Sequence, residues 1–422
     1  MTANGFASPL SRARETAAIL FPTQPAEIEE ALREMSFGDW EGRTSAEISV
    51  DTPDKVKARN LGYEVLPGDA WLMEVAGWTW RVKLSLSLSI DLMSELRARA
   101  EIIRLMRAWF FNQGFVEMHT PRLVGIPGQE PYLEPFWTEV IEASGARHEA
   151  ALITSPEYAM KRLLAEGMER IYDLGPCYRN NEPWDGTHDP EFLMVEWYRR
   201  DSDVHELMDD TENMVMSVAR EFRVEPEAMM RAWRRMTVED AFREHLDVEL
   251  SPLLDDRAKL GELATSLGQT VTEGDTWDDI FFKIFLTYIE PKLGTEQPTF
   301  LYKYPASMAA LARRSKDDPR YADRVELYVG GLELANGFAE LSDSNEQRER
   351  FVEERKLRAS LGKKTWPLDE RFLVALPGMG NAAGIAFGID RLVMLLTNSK
   401  SINDVVPFPA RERFTPESEK GN

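Results

Sequence analysis

Gly331-Leu332-Glu333-Leu334-Ala335-Asn336-Gly337-Phe338-Ala339-Glu340-Leu341-Ser342-Asp343 sets two carboxylates, Glu333 and Glu340, seven residues apart around an Asn336-Gly337 pair. Alternating side chains suit strands on either side of a glycine-relieved bend. Acids on such a strand pair can be aimed into a cavity that takes a cation, either a metal or an ammonium. A hairpin with a solvated acidic face fits the same pattern. Two distant arginine-bearing segments bear on the choice: Cys177-Tyr178-Arg179-Asn180-Asn181-Glu182 and Gly384-Ile385-Ala386-Phe387-Gly388-Ile389-Asp390-Arg391.

Arginine offers a planar fork of charge-assisted donors that matches phosphate oxygens. Gly384 to Arg391 reads as a glycine-containing strand, and Leu392-Val393-Met394-Leu395-Leu396 as the apolar helix after it. Thr154-Ser155-Pro156-Glu157-Tyr158-Ala159-Met160-Lys161-Arg162-Leu163-Leu164 reads as a strand end capped by Ser-Pro, leading into an amphipathic helix.

Together these segments resemble the active site of class II aminoacyl-tRNA synthetases, specifically the lysine branch. The resemblance implies an α+β fold, an antiparallel sheet flanked by helices, that uses ATP and Mg²⁺ to activate an amino acid. By that resemblance Arg179 contacts the α-phosphate and the substrate carboxylate, and Arg391 holds the γ-phosphate; these two are the catalytic candidates. Phe192 would stack on adenine with Asn180 and Glu182 near its edge. Asp189, Leu334 and Gly388 complete the expected ATP site, and Glu333 is the expected Mg²⁺ carboxylate, a hard oxygen for a hard cation. Ser155, Pro156 and Glu157 supply an acid for one substrate amine, Glu340 and Tyr198 receive the terminal ammonium, and Asn336 and Ala386 complete the substrate pocket. Two separated acids suit a diamino acid, because each buried charge needs a partner.

The second motif departs from the family. Arg179-Asn180-Asn181-Glu182 is one residue longer than the usual Arg-Asn-Glu. In His188-Asp189-Pro190-Glu191-Phe192, Asp189 replaces an asparagine, a negative charge expected to repel a triphosphate unless it is screened. The resemblance runs from about residue 95 to the end, and includes 298–310 and the closing Asp404-Val405-Val406-Pro407-Phe408-Pro409. It is nearest to the elongation factor P (R)-β-lysine ligases, truncated lysyl-tRNA synthetase paralogues. The Ser-Pro-Glu-Tyr-x-Met-Lys-Arg-Leu-Leu wording and Glu196-Trp197-Tyr198 resemble the paralogue, and Ala386 stands where tRNA-charging enzymes carry glycine. No five-stranded OB pattern for reading an anticodon precedes the catalytic part.

The expected activity is activation of (R)-β-lysine as an adenylate and transfer to a lysine ε-amine of elongation factor P. Lys161, Arg162, Arg199 and Arg200 offer either basic contacts for that acceptor or solvated surface charge. The rival readings are a ligase that charges tRNA, a small-molecule amide ligase and a non-catalytic class II-like binding protein.

Composition sets bounds on this reading. A net charge of −22 disfavours broad nucleic-acid binding, tRNA included. Residues 1–90 hold 9 basic and 13 acidic side chains, so most of the excess acidity lies in 91–422. Cys177, the one cysteine, excludes an intramolecular disulfide and a cysteine zinc site. No apolar run approaches the roughly 20 residues of a membrane span, so a cytoplasmic protein is expected.

Residues 1–90 read as a segment apart from the catalytic domain at 91–422. Ser8-Pro9-Leu10-Ser11-Arg12-Ala13-Arg14-Glu15-Thr16-Ala17 and Glu34-Met35-Ser36-Phe37-Gly38-Asp39-Trp40-Glu41-Gly42 resemble histidine phosphatases, so residues 1–48 look like a fragment of one. The Arg-His-Gly nucleophile segment is missing, and the first histidine of the chain is His119. Without that imidazole no phosphohistidine can form. Trp71, Trp78 and Trp80 are expected to pack. A helix is expected from Leu92 to Phe111, stopped at Gly114 and followed by a strand from Phe115 to Pro121. That unit resembles the family's first motif, the dimer interface. Residues 201–292 read as a mostly helical insertion, and 298–305 as a strand.

Overall fold

The structure is a computed structural model that describes residues 63–66, 70–75, 78–82, 87–224 and 227–414. The phosphatase-like segments at 8–17 and 34–42, and the side chains of Trp71, Trp78 and Trp80, lie outside what is described. The chain divides into two compact units, Met1–Asp91 and Leu92–Asn422. In the first, β1 (Tyr63–Leu66), β2 (Ala70–Val75) and β3 (Trp78–Val82) form an antiparallel sheet in that order.

The second unit begins within α1 (Ser87–Asn112), longer at its start than its apolar periodicity suggested. Ile102, Leu105, Met106 and Trp109 are buried as that spacing requires. The expected strand shrinks to β4 (Val116–Met118). β5 (Leu123–Val124), β6 (Trp137–Ile141) and β7 (Arg147–Leu152) make a small antiparallel sheet in the order β5-β7-β6. Next come α2 (Glu157–Ala165), β8 (Arg170–Tyr178) and β9 (Glu191–Arg200).

The insertion is helical as expected. It holds α3 (Val204–Phe222), a single turn Glu227–Met230, α4 (Val238–Leu246), α5 (Arg257–Ser266) and α6 (Trp277–Ile284). Asp203, Thr237 and Thr276 cap α3, α4 and α6 in reciprocal capping boxes with Glu206, Asp240 and Asp279, each satisfying two otherwise orphaned amide donors. One strand inside it, β10 (Arg234–Thr237), was not foreseen; it pairs in parallel with β11 (Thr299–Pro305). The chain closes with β12 (Tyr321–Val329), β13 (Leu332–Ala339), α7 (Ser344–Ser360), α8 (Glu370–Met379), β14 (Ala382–Gly388), α9 (Ile389–Thr397) and α10 (Ala410–Phe414).

The main sheet runs β10-β11-β12-β13-β14-β9-β8-β4, antiparallel except for its two edge pairs. One face is apolar: Val325, Ile385, Trp197 and Tyr172 lie on one cross-strand row, with Gly337 between the first two, and all four belong to the core built with Ile102, Leu105, Phe110 and Leu207 from α1 and α3. Phe110 stacks on Tyr172 at 4.4 Å and meets the edge of Trp197 at 5.4 Å, contacts worth about 0.5–1.5 kcal/mol each beyond area burial.

The bend expected at Asn336-Gly337 does not exist. β13 runs straight through both residues, and the turn comes earlier, at Gly330-Gly331. Gly337 serves close packing instead: a Cβ there would lie 2.7 Å from Ile385 Cβ and 2.9 Å from Gly384 O. Glu333 and Glu340 would point to opposite faces of an ideal strand. The register shift that pairs Leu327 with Ala335 but Tyr328 with Glu333 leaves Leu334 as an extra residue. One bulged residue reverses the alternation, so Glu333 shares the face of Asn336.

Candidate active site

The face opposite the core carries the polar row. Glu326, Asn336, Ala386, Glu196 and Asp173 are successive cross-strand partners on β12, β13, β14, β9 and β8, and side chains directly opposite each other share a face. The next row on that face contains Arg324, Phe338, Gly384 and Tyr198. Gly384 makes room for its neighbours: an added Cβ would lie 2.1 Å from Tyr198 Cε1 and 2.9 Å from Glu340 Oε1.

A cavity of about 220 Å³ opens over one end of this floor, lined in part by Arg179, Phe192, Glu333, Asn336, Ala386 and Arg391. Arg179 leaves the end of β8. Its Nε is buried without a hydrogen-bond partner, and its guanidinium carbon sits 5.0 Å from the Phe192 ring centroid. A buried cation donor left unsatisfied marks a place where an anion is expected. Arg391, in the first turn of α9, donates to Glu333 O at 2.6 Å and lies 3.0 Å from His188 Nε2. The adjoining Asp390 is spent on structure: it accepts from Leu193 N at 2.7 Å and pairs with Arg99 at 2.7 Å, tying α9 to β9 and α1.

Burial pushes the Glu333 carboxyl up to about 7, the nearby Glu326 charge adds to the rise, and Arg391, Arg324 and Arg179 oppose it. Glu326 is itself buried and accepts from Tyr328 at 2.7 Å and from Tyr304 and Arg324. A buried carboxyl whose proton affinity is raised by a second acid nearby favours a cation beside it. Among the described residues no three acids, histidines or cysteines form a complete metal cage, so any cation there draws its remaining oxygens from a ligand or from water.

The other end of the floor is acidic around one lysine. Lys161, on α2 and 1% exposed, lies 2.5 Å from Glu157 Oε1 and 2.5 Å from Glu340 Oε2. Its approach to Glu340 is an ion pair without hydrogen-bond alignment, since neither Glu340 oxygen gains a hydrogen-bond partner. Burial works against the Lys161 charge, but Glu157 and Glu340 outweigh it and hold its pKa above the usual lysine value. Burial likewise raises Glu340, while Lys161 holds it down. The third acid, Glu196, has no cation in contact among the described residues. It accepts from Ser155 Oγ at 2.6 Å and Tyr198 Oη at 2.8 Å. Burial, then the Glu157 charge, lifts it to about 7 against those two hydrogen bonds.

Most of the residues singled out from sequence converge here, but several are placed differently from the expectation. Asn180 turns away from the 220 Å³ cavity to a separate one of about 550 Å³, its amide donating to Glu134 O at 2.7 Å; Glu182 lines both. Asn181, the extra residue, adopts a left-handed φ of 60°, so the insertion is absorbed in the turn after β8. Asp189 is 3% exposed with both oxygens engaged: Oδ2 accepts from Ala410 N at 2.7 Å, and Oδ1 from Arg413 at 2.8 Å and Glu191 N at 3.1 Å. That screening answers the repulsion expected at this position. Lys161, read as a basic surface contact, is buried, and Arg199 is paired with Asp210 at 2.9 Å.

Ser155, Pro156 and Glu157 line a small adjoining cavity of about 40 Å³, linked to the floor through the Ser155–Glu196 bond. Tyr198 reaches Glu196 rather than Glu340. Leu334 and Gly388 line the 220 Å³ cavity. Glu196 and Glu326 were missed as site acids. The signal for Glu196 was available, because it stands two residues before Tyr198 on one strand and therefore shares its face.

A family model for class II tRNA synthetases (D, K and N) matches residues 83–412. Residues 2–69 match the histidine phosphatase superfamily (branch 1), and 41–105 match a Tex central region-like model. Among curated proteins, the chain is 38% identical over 321 residues to an elongation factor P--(R)-beta-lysine ligase of Hamiltonella defensa and equally to one of Proteus mirabilis. It is 39% identical over 320 residues to that of Photorhabdus laumondii. Each comparison covers 75% of this chain and 95% of the relative.

Proposed function

The chain belongs to the class II tRNA synthetase family (D, K and N), and from that membership we propose that it is an ATP-dependent ligase joining (R)-β-lysine to a lysine of elongation factor P. The observation that carries the reading is the two-ended floor, with an unsatisfied arginine donor at one end and, at the other, two acids paired with one lysine beside a third acid, Glu196. Glu157, Glu196 and Glu340, less the Lys161 charge, leave two negative charges when all are ionised, which matches the two ammonium groups of a diamino acid.

In the first half-reaction a substrate carboxylate oxygen attacks the α-phosphorus of ATP, and the bond to pyrophosphate breaks. Arg179 neutralises charge at the α-phosphate and orients the carboxylate, Arg391 holds the γ-phosphate, and Phe192 stacks on adenine. This is catalysis by positioning and fixed electrostatics. Glu333 and Glu326 would hold Mg²⁺, which supplies charge neutralisation along the phosphates when bound. In the second half-reaction the acceptor ε-amine, having lost a proton, attacks the acyl carbon, and the carbon–oxygen bond to AMP breaks.

We place the reaction in the cytoplasm; no helix among the described residues is long and apolar enough to cross a membrane. We also propose a homodimer built on the α1–β4 unit, whose end leaves Phe111 79% and Val116 48% exposed. Residues 1–90 are proposed to be non-catalytic and separate from the ligase domain at 91–422. Purified protein with ATP, each lysine isomer, elongation factor P and tRNA tests the activity by intact mass and acid-stable tRNA charging. A lysyl-type mass addition on the factor without charged tRNA is expected, and charging of tRNA at a comparable rate overturns the assignment.

Two predictions follow from the pocket. Ala386 lies between Asn336 and Glu196 on adjacent strands, so its methyl shapes the space where amine and carboxylate must fit. Ala386→Gly is expected to move the preference in pyrophosphate exchange from β-lysine toward α-lysine, by about tenfold for a methyl-sized change. Equal exchange with both isomers in the unmodified chain counts against the proposed substrate.

Glu196 binds an ammonium only when ionised. With its pKa raised to about 7 by burial, the KM for β-lysine should fall as pH rises from about 6 to about 8, at most about tenfold per pH unit below the pKa. Linkage gives the opposite trend for the ligand-free chain. A folded pKa above the ordinary 4.5 means that protonation favours the fold. That contribution is therefore complete at acid pH and lost as pH rises through about 7. A KM independent of pH across this range removes Glu196 from the ammonium site.

A further inference from the structure

The loop between β8 and β9, Asn180 to Pro190, lines the 220 Å³ cavity with Glu182, Thr187, His188 and Asp189, and the last described helix holds it. Arg411 donates to Trp184 O at 2.6 Å, and Ala410 N donates to Asp189 Oδ2 at 2.7 Å. Arg413 bridges Asp189 Oδ1 and Glu191 Oε2, each at 2.8 Å. Just upstream, Ile402 N donates to Gly186 O at 2.7 Å. Trp184 and Phe414 face each other with ring centroids 6.2 Å apart.

We propose that Arg413 is a positioning residue for nucleotide binding, acting through Asp189 to hold the β8–β9 loop in its ATP-receiving shape. The path is short. Asp189 follows His188, whose Nε2 lies 3.0 Å from Arg391, so the pair fixes the backbone that presents His188 to that arginine. The second motif's departure from the family gains a role here. An aspartate adds its own negative charge to the contact with a guanidinium, whereas an asparagine would offer that donor only a neutral acceptor. Asp189 is 3% exposed and Arg413 is about a third exposed, so the pair is screened less than a surface ion pair. The inference rests on the ATP-binding reading of this cavity, because the loop would otherwise have no nucleotide to receive.

Two measurements test it on the full chain. In Arg413→Ala, hydrogen–deuterium exchange should quicken in peptides covering 180–191 and stay unchanged in those from β12 and β13. In pyrophosphate exchange the KM for ATP should rise about tenfold with kcat within about twofold, the pattern of a lost binding contribution. Arg413→Lys, which keeps one charged contact to Asp189, should recover most of both effects. Unchanged loop exchange, or a fall in kcat at constant KM, overturns the positioning role. If the unmodified chain exchanges no pyrophosphate, the ligase reading fails, and loop exchange in the variant still decides whether Arg413 holds the loop.

Discussion

Arg179→Ala and Arg391→Ala are each expected to lower amino-acid-dependent pyrophosphate exchange by roughly a hundredfold to a thousandfold, the loss that follows removal of one preorganised donor to developing charge, about 3–4 kcal/mol. The two should differ in stability. Arg179 has a buried Nε without a protein partner and a cation–π contact with Phe192, so its removal leaves no acceptor stranded and should barely move the melting temperature. Arg391 ties α9 to β13 through Glu333 O and touches His188. Breaking that tie should cost about 1–2 kcal/mol of stability. Lysine should rescue neither, because a point charge cannot reproduce the fork that bridges phosphate oxygens. Near-normal exchange in either variant, with the melting temperature held, removes that arginine from the site.

What could be read from one sequence was whatever the backbone repeats locally. The Ser155-Pro156 entry to α2, the strand–helix switch at Gly388 and the helical insertion each carry their period and their punctuation within a dozen residues. What failed depended on partners far along the chain. Gly337 invited a turn, yet its glycine answers Ile385 and Gly384 on the neighbouring strand. The bulge at Leu334, which brings Glu333 to the site face, has no local signature, because it is a mismatch between two strands rather than a property of one. Asp189 read as an electrostatic liability because the partners that screen its charge, Ala410 N and Arg413, stand 221 and 224 residues away. Lys161 was legible in part: its i,i+4 spacing from Glu157 predicts a helical pair, but nothing local shows that Glu340 closes the other side.

That closure gives Lys161→Met the largest expected effect on stability. The substitution roughly preserves volume on α2 but leaves Glu157 and Glu340 buried without their shared cation. Removing one partner of a buried ion pair costs about 3–5 kcal/mol, because the stranded charge keeps its desolvation penalty and loses its compensation. Surface pairs such as Arg147–Glu139, with both side chains more than half exposed, should be worth about 1 kcal/mol or less, so burial rather than pair count sets the scale. The deficit should depend on pH. With the ammonium gone, burial and the neighbouring Glu157 and Glu196 charges act on the Glu340 carboxyl unopposed and raise its pKa further above the unfolded range. The variant therefore binds more protons folded than unfolded, and should recover stability as pH falls and lose it as pH rises. Urea unfolding at about pH 5.5 and about pH 8 measures this directly. A variant as stable as the unmodified chain at the higher pH would show that Lys161 is not the counter-charge of these acids. If a diamino ligand fills the acidic end, saturating it with β-lysine should restore part of the loss at the higher pH, since the ligand brings ammonium groups of its own and stabilises whichever state it binds.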